Sequence, residues 1–159
     1  MITAPRTGIT TYATPSDREV VVTRVVSAPR RVVFDVFTNP RHVPNWLIGP
    51  EGWTMPVCEI DLRPGGAWHF VWRAADGSEM EMYGEYREVS PPERLVATER
   101  WGGDWPETLN TVVFTELDGR TLVTTTMLYP SKAARDAALG TGIKDGMNMS
   151  FDRLDAYVA

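Results

Sequence analysis

The sequence predicts a single α+β domain in which a curved antiparallel sheet wraps around a C-terminal helix. From Met55 to Tyr129 the chain consists of alternating apolar and polar segments separated by turn residues, a pattern typical of an antiparallel sheet with one solvated face. Apolar residues instead recur at helical spacing from Ile143 to Val158. The 159 residues, 43% of them apolar, fit one domain with a full hydrophobic core.

The predicted elements that precede this antiparallel sheet are short. Glu19–Val26 is rich in β-branched residues and predicts the first strand. A helix is expected to follow and to end at Asn39, because the residue before a proline disfavours the α region. Pro40 then starts a second short helix, which Pro44 limits. Six further strands are expected after it, with hairpins at the two Asp-Gly pairs, and the first strand joins them as the seventh.

The two ends of the chain differ from the sheet. Residues 1–17 are rich in Thr, Pro and Gly, and we expect a flexible arm before one domain at 18–159. Ser131 is expected to begin a helix that residues 140–142 (GTG) interrupt. The segment from Ile143 to Val158 is then the remaining helix long enough to cover the apolar face of the sheet.

Composition and charge argue against several classes of function. A net charge of −5 with dispersed basic residues disfavours a nucleic-acid partner. The single cysteine, Cys58, excludes an internal disulfide. No apolar run reaches the roughly 18–20 residues needed to cross a bilayer, and no secretion signal is recognisable, so we expect a cytoplasmic protein without membrane contact. The exposed edge of a meander allows a homodimer.

Metal, nucleophile and phosphate sites are not indicated. His42 and His69 fall in different elements, and no spacing resembles a zinc site. Cys58 lies in an apolar strand and is interpreted as a small buried hydrophobe. The chain has no Gly-x-Ser-x-Gly elbow and no Gly-rich phosphate loop. We therefore expect neither a metal nor a cofactor.

The candidate site is an apolar pocket between the sheet and the C-terminal helix. Strand alternation places large aromatic and methionine side chains on one face, together with a few polar ones that would orient a ligand. The same pattern also describes an ordinary core. The residues expected to line the pocket are Trp46, Phe70, Trp72, Met80, Met82, Tyr86, Asn110, Val112, Thr124, Thr126, Ile143, Gly146, Met147 and Ser150.

One acidic residue is a candidate for acid–base chemistry. Glu99 alternates with Leu95 and Ala97 and is expected to point inward, where burial would raise its pKa. Gly142 and Gly146 each cost about 1 kcal/mol relative to alanine in a helix. Close packing or room for a ligand would offset that cost. A purely structural role is the alternative for all three residues.

Several motifs, in this order along the chain, are similar to those of one superfamily. They are Ser27-Ala28-Pro29, Asn45-Trp46, and the runs 49–53 (GPEGW), 61–66 (DLRPGG), 91–95 (PPERL) and 151–154 (FDRL). From Glu19 to Val158 the chain resembles the SRPBCC (START-like) superfamily, in the bacterial branch similar to the C-terminal domain of the activator of the 90-kDa heat-shock protein ATPase. The resemblance implies the helix-grip fold, with a seven-stranded sheet around a long C-terminal helix and two short helices after strand 1.

Three functions stay open at this point. The first is binding of a small apolar or amphipathic molecule in the pocket. The second, implied by the superfamily, is an enzyme similar to cyclases (including polyketide cyclases), aromatases or dehydratases that acts in the same cavity. The third, implied by the name of the branch, is a chaperone ATPase cofactor in a stress response.

Overall fold

The structure, a computed structural model, describes residues 7–159. Its strands are β1 (Thr10–Ala13), β2 (Glu19–Val26), β3 (Thr54–Ile60), β4 (Ala67–Arg73), β5 (Glu79–Ser90), β6 (Arg94–Trp101), β7 (Thr108–Leu117) and β8 (Arg120–Leu128). Its helices are α1 (Arg30–Thr38), a 3-10 turn (Val43–Asn45), α2 (Lys132–Leu139) and α3 (Ile143–Val158). In this part of the chain the strands form one antiparallel sheet in the order β1-β2-β8-β7-β6-β5-β4-β3. The predicted α+β helix-grip fold is confirmed.

The sheet has eight strands rather than the seven we predicted. The additional strand, β1, lies within residues 1–17, which we expected to be a flexible arm, and pairs antiparallel with β2. A strand of four residues is too short to show an alternating pattern in the sequence. Residues 1–6 of the expected arm lie outside the described residues.

Tyr12 attaches β1 to α3. Its hydroxyl donates to the side-chain oxygen of Asn148 at 2.8 Å and lies 2.9 Å from the carbonyl oxygen of Lys144. The ammonium of Lys144 lies 5.2 Å from the centroid of the Tyr12 ring, within the range of a cation–π interaction. These contacts hold the beginning of α3 against the edge of the sheet.

The inner face of the sheet carries the core. On β4, Trp68, Phe70 and Trp72 are each 6–7% exposed. They share one core cluster with Phe151 and Leu154 of α3. Burying a large apolar side chain of this kind contributes about 1.5–3 kcal/mol. Covering this face therefore supplies much of the stability of the domain.

The segment between β2 and β3 covers the middle of the sheet. Phe34 and Phe37 of α1 pack edge-on against Phe114 of β7, with ring centroids 5.3 and 5.2 Å apart. The Trp46 indole N–H donates to the carbonyl oxygen of Val36 at 2.9 Å.

No helix among residues 7–159 is long and apolar enough to cross a membrane.

A buried cation joins α3 to β2. Arg24 is only 3% exposed, and its guanidinium donates to Asp152 at 2.8 Å and also to Asp155. It donates as well to the Thr10 hydroxyl oxygen of β1 at 2.8 Å, and it lies 5.8 Å from the Phe151 ring centroid. Because a buried charge without a partner is costly, these contacts determine which face of α3 is turned towards the sheet.

We predict unequal effects for the two acidic partners of Arg24. Asp155 is 25% exposed and Asp152 is 69% exposed. Asp155→Asn should lower the free energy of unfolding by about 1.5–3 kcal/mol, because it removes a shielded charge-assisted hydrogen bond. Asp152→Asn should lower it by about 1 kcal/mol or less. Urea denaturation measures both changes, and equal losses would contradict the asymmetry.

We also predict opposite effects for two glycine substitutions. A Cβ on Gly84 of β5 would lie 1.9 Å from the carbonyl oxygen of Thr98 and 2.7 Å from the indole nitrogen of Trp68, whereas a Cβ on Gly146 of α3 would meet nothing within 4 Å. Gly84→Ala should therefore destabilise the protein by about 1–3 kcal/mol through overpacking. Gly146→Ala should stabilise it by about 1 kcal/mol, the difference in helix propensity. The midpoint temperature of thermal unfolding should fall for Gly84→Ala and rise for Gly146→Ala.

Candidate functional site

A cavity of about 550 Å³ lies between one end of the sheet and the junction of α2 with α3. Its walls come from the start of β5, the end of β6, the β6–β7 loop, the start of β7, the end of β8 and the two helices. Small side chains of α2, those of Ala134 and Ala138, face it. The larger side chains that line it are Met80, Trp101, Trp105, Met127, Tyr129 and Ile143.

Glu99 is the ionisable side chain that faces this cavity from β6. The Asn110 side-chain amide on β7 donates to its carboxylate, and the Thr108 hydroxyl in turn donates to the Asn110 side-chain oxygen at 2.9 Å. Burial raises the pKa of Glu99 to about 7, although hydrogen bonds from Asn110 and Trp101 act in the opposite direction. Both protonation states of Glu99 are therefore accessible near neutral pH.

Tyr129 adds a second polar group to the same cavity. The residue is 5% exposed, and its hydroxyl donates to the Met127 sulfur at 4.0 Å. A thioether is a weak acceptor, so a stronger acceptor in the cavity would be preferred. Burial, together with the nearby Glu99 carboxylate, raises the pKa of Tyr129 to about 12. The hydroxyl therefore stays neutral and able to donate at physiological pH.

The opening of the cavity carries exposed apolar side chains. Met80 is 45% exposed and Trp105 is 40% exposed. Between them, the Gly102 amide donates to the carbonyl oxygen of Glu81 at 3.0 Å and holds the β6–β7 loop against β5. The entrance thus exposes apolar side chains to solvent.

The structure places only some of the predicted pocket residues at the cavity. Met80 and Ile143 line the cavity, and Asn110 holds Glu99 next to it. Most of the others lie in the hydrophobic core or pack against it rather than along the cavity wall, and their part in binding a ligand stays a prediction. These are Trp46, Phe70, Trp72, Met82, Tyr86, Val112 and Met147.

The prediction for Thr124 and Thr126 is wrong, because β8 faces the other way. The buried residues Val123 and Met127 pair with inward-facing positions of β7. Thr124 and Thr126 alternate with them and lie on the outer face. Since three successive threonines occupy residues 124–126, alternation gives no contrast there, and a shift of one residue exchanges the faces.

Of the two glycines expected to make room for a ligand or a close approach, Gly142 lies at the cavity and Gly146 does not. Gly146 is exposed, makes no close approach and does not line the cavity. Gly142 does line the cavity, and it precedes α3 with φ of 79°. Glycine adopts this left-handed conformation without steric cost. Ser150 is buried on α3 away from the cavity lining.

The histidines and the cysteine are engaged in structural contacts. The Nδ1 atom of His42 lies 2.7 Å from the Tyr157 hydroxyl, and the Nε2 atom of His69 lies 2.8 Å from the Glu81 carboxylate. Burial raises the pKa of the Cys58 thiol to about 11, so the thiol stays neutral. Among residues 7–159, no group of three or more His, Cys, Asp and Glu side chains is placed to hold a metal ion.

Together, the fold and the cavity define a class of protein. An antiparallel sheet covered by a C-terminal helix, with two short helical elements after the strand Glu19–Val26, is the helix-grip arrangement of the SRPBCC (START-like) superfamily. The sequence over residues 27–159 matches the family described as activator of Hsp90 ATPase homolog 1-like protein. The chain belongs to that family, whose fold is one of ligand-binding domains.

Solved structures of bacterial proteins show the same fold. A protein from Rhodobacter sphaeroides is 26% identical with a TM-score of 0.89, over 92% of this chain and 95% of that chain. One from Mycobacterium smegmatis is 25% identical with a TM-score of 0.85, over 95% and 98%. One from Chromobacterium violaceum is 29% identical with a TM-score of 0.75, over 88% and 96%. No protein with a curated description matches the chain.

Sequence reasoning missed several residues of the cavity. Trp101 follows Glu99 by two positions on β6, so strand alternation could have identified it. Strand alternation also indicated Thr108, because it precedes Asn110 by two positions on β7. No sequence pattern indicated Trp105 or Tyr129, because the loop and the strand end that carry them are positioned only by tertiary packing.

We predict that Glu99 makes the stability of the protein depend on pH. The folded protein holds the Glu99 proton more tightly than the unfolded chain does, because the pKa rises from 4.5 to about 7 on folding. The free energy of unfolding should therefore fall by up to about 3 kcal/mol between pH 4.5 and 7 through this residue alone. Urea denaturation of Glu99→Gln should lack this part of the pH dependence.

A control separates this effect from the titration of other carboxylates. Glu59 lies exposed on β3, so Glu59→Gln should keep the wild-type pH dependence. If the difference in stability between the wild type and Glu99→Gln were constant from pH 4.5 to 8, Glu99 would not have the raised pKa.

Proposed function

We propose that the chain binds a small, largely apolar molecule with one polar group in the cavity beside Glu99. The observation that carries this proposal is the combination of about 550 Å³ of space with the shielded carboxyl group of Glu99 facing it. Ligand sites in proteins are typically cavities of about 300–1,000 Å³ with mostly apolar walls and a few polar groups. We also propose that the protein binds this molecule in the cytoplasm.

The polar groups of the cavity support a ligand more than a purely structural role. Asn110 occupies one side of the Glu99 carboxyl group, and the Tyr129 hydroxyl has only a sulfur as acceptor. A cavity also lowers stability, because the side chains around it lose packing contacts. A molecule with an apolar body and one hydrogen-bonding group would satisfy both the packing and the polar groups.

A second candidate function is an enzyme similar to cyclases, aromatases or dehydratases. The pKa of Glu99 is raised to about 7, which suits a general acid or base at neutral pH. Tyr129 beside it could donate to a substrate carbonyl oxygen. This candidate predicts turnover that disappears in Glu99→Gln while the affinity for the substrate survives.

The family description supplies a third candidate, a cofactor of a chaperone ATPase. Its test is the turnover of a purified Hsp90 ATPase with and without this protein. An unchanged rate would leave the binding function as the better supported proposal.

The binding proposal is tested with an uncharged fluorescent probe, N-phenylnaphthylamine, and a pair of matched substitutions on α2. Ala138 lines the cavity, whereas Ala133 is exposed on the same helix. Ala138→Phe should fill the cavity and weaken probe binding about tenfold or more, and Ala133→Phe should leave it unchanged. Circular dichroism checks that both variants are folded. Equal affinities in the two variants, or no saturable binding by the wild type, would contradict the proposal.

A further inference from the structure

The charges around the cavity indicate which class of amphipathic molecule it takes. We infer that the cavity selects an organic cation, an amine whose ammonium group pairs with the Glu99 carboxylate while its apolar part fills the remaining space. This inference rests on the proposed binding function and adds the charge of the ligand to it.

Among the described residues, the cavity wall contains no basic group. No Lys, Arg or His side chain lines the cavity within the described part of the chain. Glu79 and Glu81 border it from β5, and their carboxylates pair with Arg73 at 2.7 Å and His69 at 2.8 Å. Glu99 is thus the acidic group of the wall that has no cationic partner, and an anionic ligand beside it would meet like charge.

The Glu99 carboxylate is incompletely paired. Its hydrogen-bond partners Asn110 and Trp101 are both neutral, and Asn110 is oriented by the equally neutral Thr108. These contacts position the carboxylate and leave its charge uncompensated. Tyr129 is the other titratable group that faces it, while α2 and α3 contribute only uncharged residues to the wall. Because a shielded carboxylate gains most from an opposite charge, an ammonium group is the ligand feature that fits.

Aromatic side chains form part of the cavity wall. Trp101, Trp105 and Tyr129 line the cavity around Glu99. The faces of aromatic rings attract cations, and tryptophan does so most strongly. The same rings also provide apolar surface for the body of an amine. A neutral molecule would gain the apolar contacts alone.

Three ligands of nearly equal shape test the inference at pH 8: naphthylethylamine, naphthylethanol and naphthylacetate. Calorimetric titration of the wild type should show the amine binding about tenfold tighter than the alcohol, with the acetate weakest. Glu99→Gln should lower the affinity for the amine about tenfold, to near that of the alcohol, and should change the affinity for the alcohol far less. Glu59→Gln, on β3, should keep the wild-type order. Lowering the pH to 5.5 should weaken binding of the amine only, because Glu99 then takes up a proton.

The outcomes separate this inference from the proposed function. An alcohol or acetate that binds as tightly as the amine overturns the inference, while the binding function stands. If all three ligands fail to bind although N-phenylnaphthylamine binds, the inference alone is overturned. If that probe fails as well, both proposals are overturned. The wild-type series decides the matter even where Glu99→Gln does not fold.

Discussion

The ion pair of Arg24 with Asp152 and Asp155 is the interaction on which the rest of the structure depends. It lies between β2 and α3, so it fixes the face of α3 that covers the inner side of the sheet. Tyr12 holds the beginning of the same helix through Asn148. With α3 held at both places, its first residues can lie only at the end of the sheet where the cavity opens. These contacts thereby position the beginning of α3, where Ile143 lines the cavity.

The cavity exists because small side chains face large ones. Ala134 and Ala138 of α2 lie opposite Trp101 and Met127 of the sheet, and the space between them is not filled by the chain. The same gap allows Glu99 to sit in an apolar environment without being fully enclosed. Its carboxyl group is therefore shielded enough to have a raised pKa and still accessible to a ligand. This combination of shielding and access is what gives the cavity its chemical character.

The sequence predicts the fold better than the site. The alternation around Trp72 on β4 and the helical spacing that includes Leu154 both reflect local periodicity, and both predictions hold. Glu99 could be placed inward because its strand neighbours are apolar. Arg24 carried no such signal, since a buried arginine in a strand is explained only by its partners more than 120 residues away. Which side chains of β8 turn inward, and where the cavity lies, depend on tertiary packing that a local sequence pattern does not predict.

The central claim is that the cavity holds a shielded carboxyl group with an uncompensated charge. The most direct measurement is an NMR titration that follows the side-chain carboxyl carbon of Glu99 in the protein without ligand. The structure predicts a midpoint at a pH of about 7. A midpoint near the ordinary glutamate value of about 4.3 would show a solvated carboxylate and contradict the account.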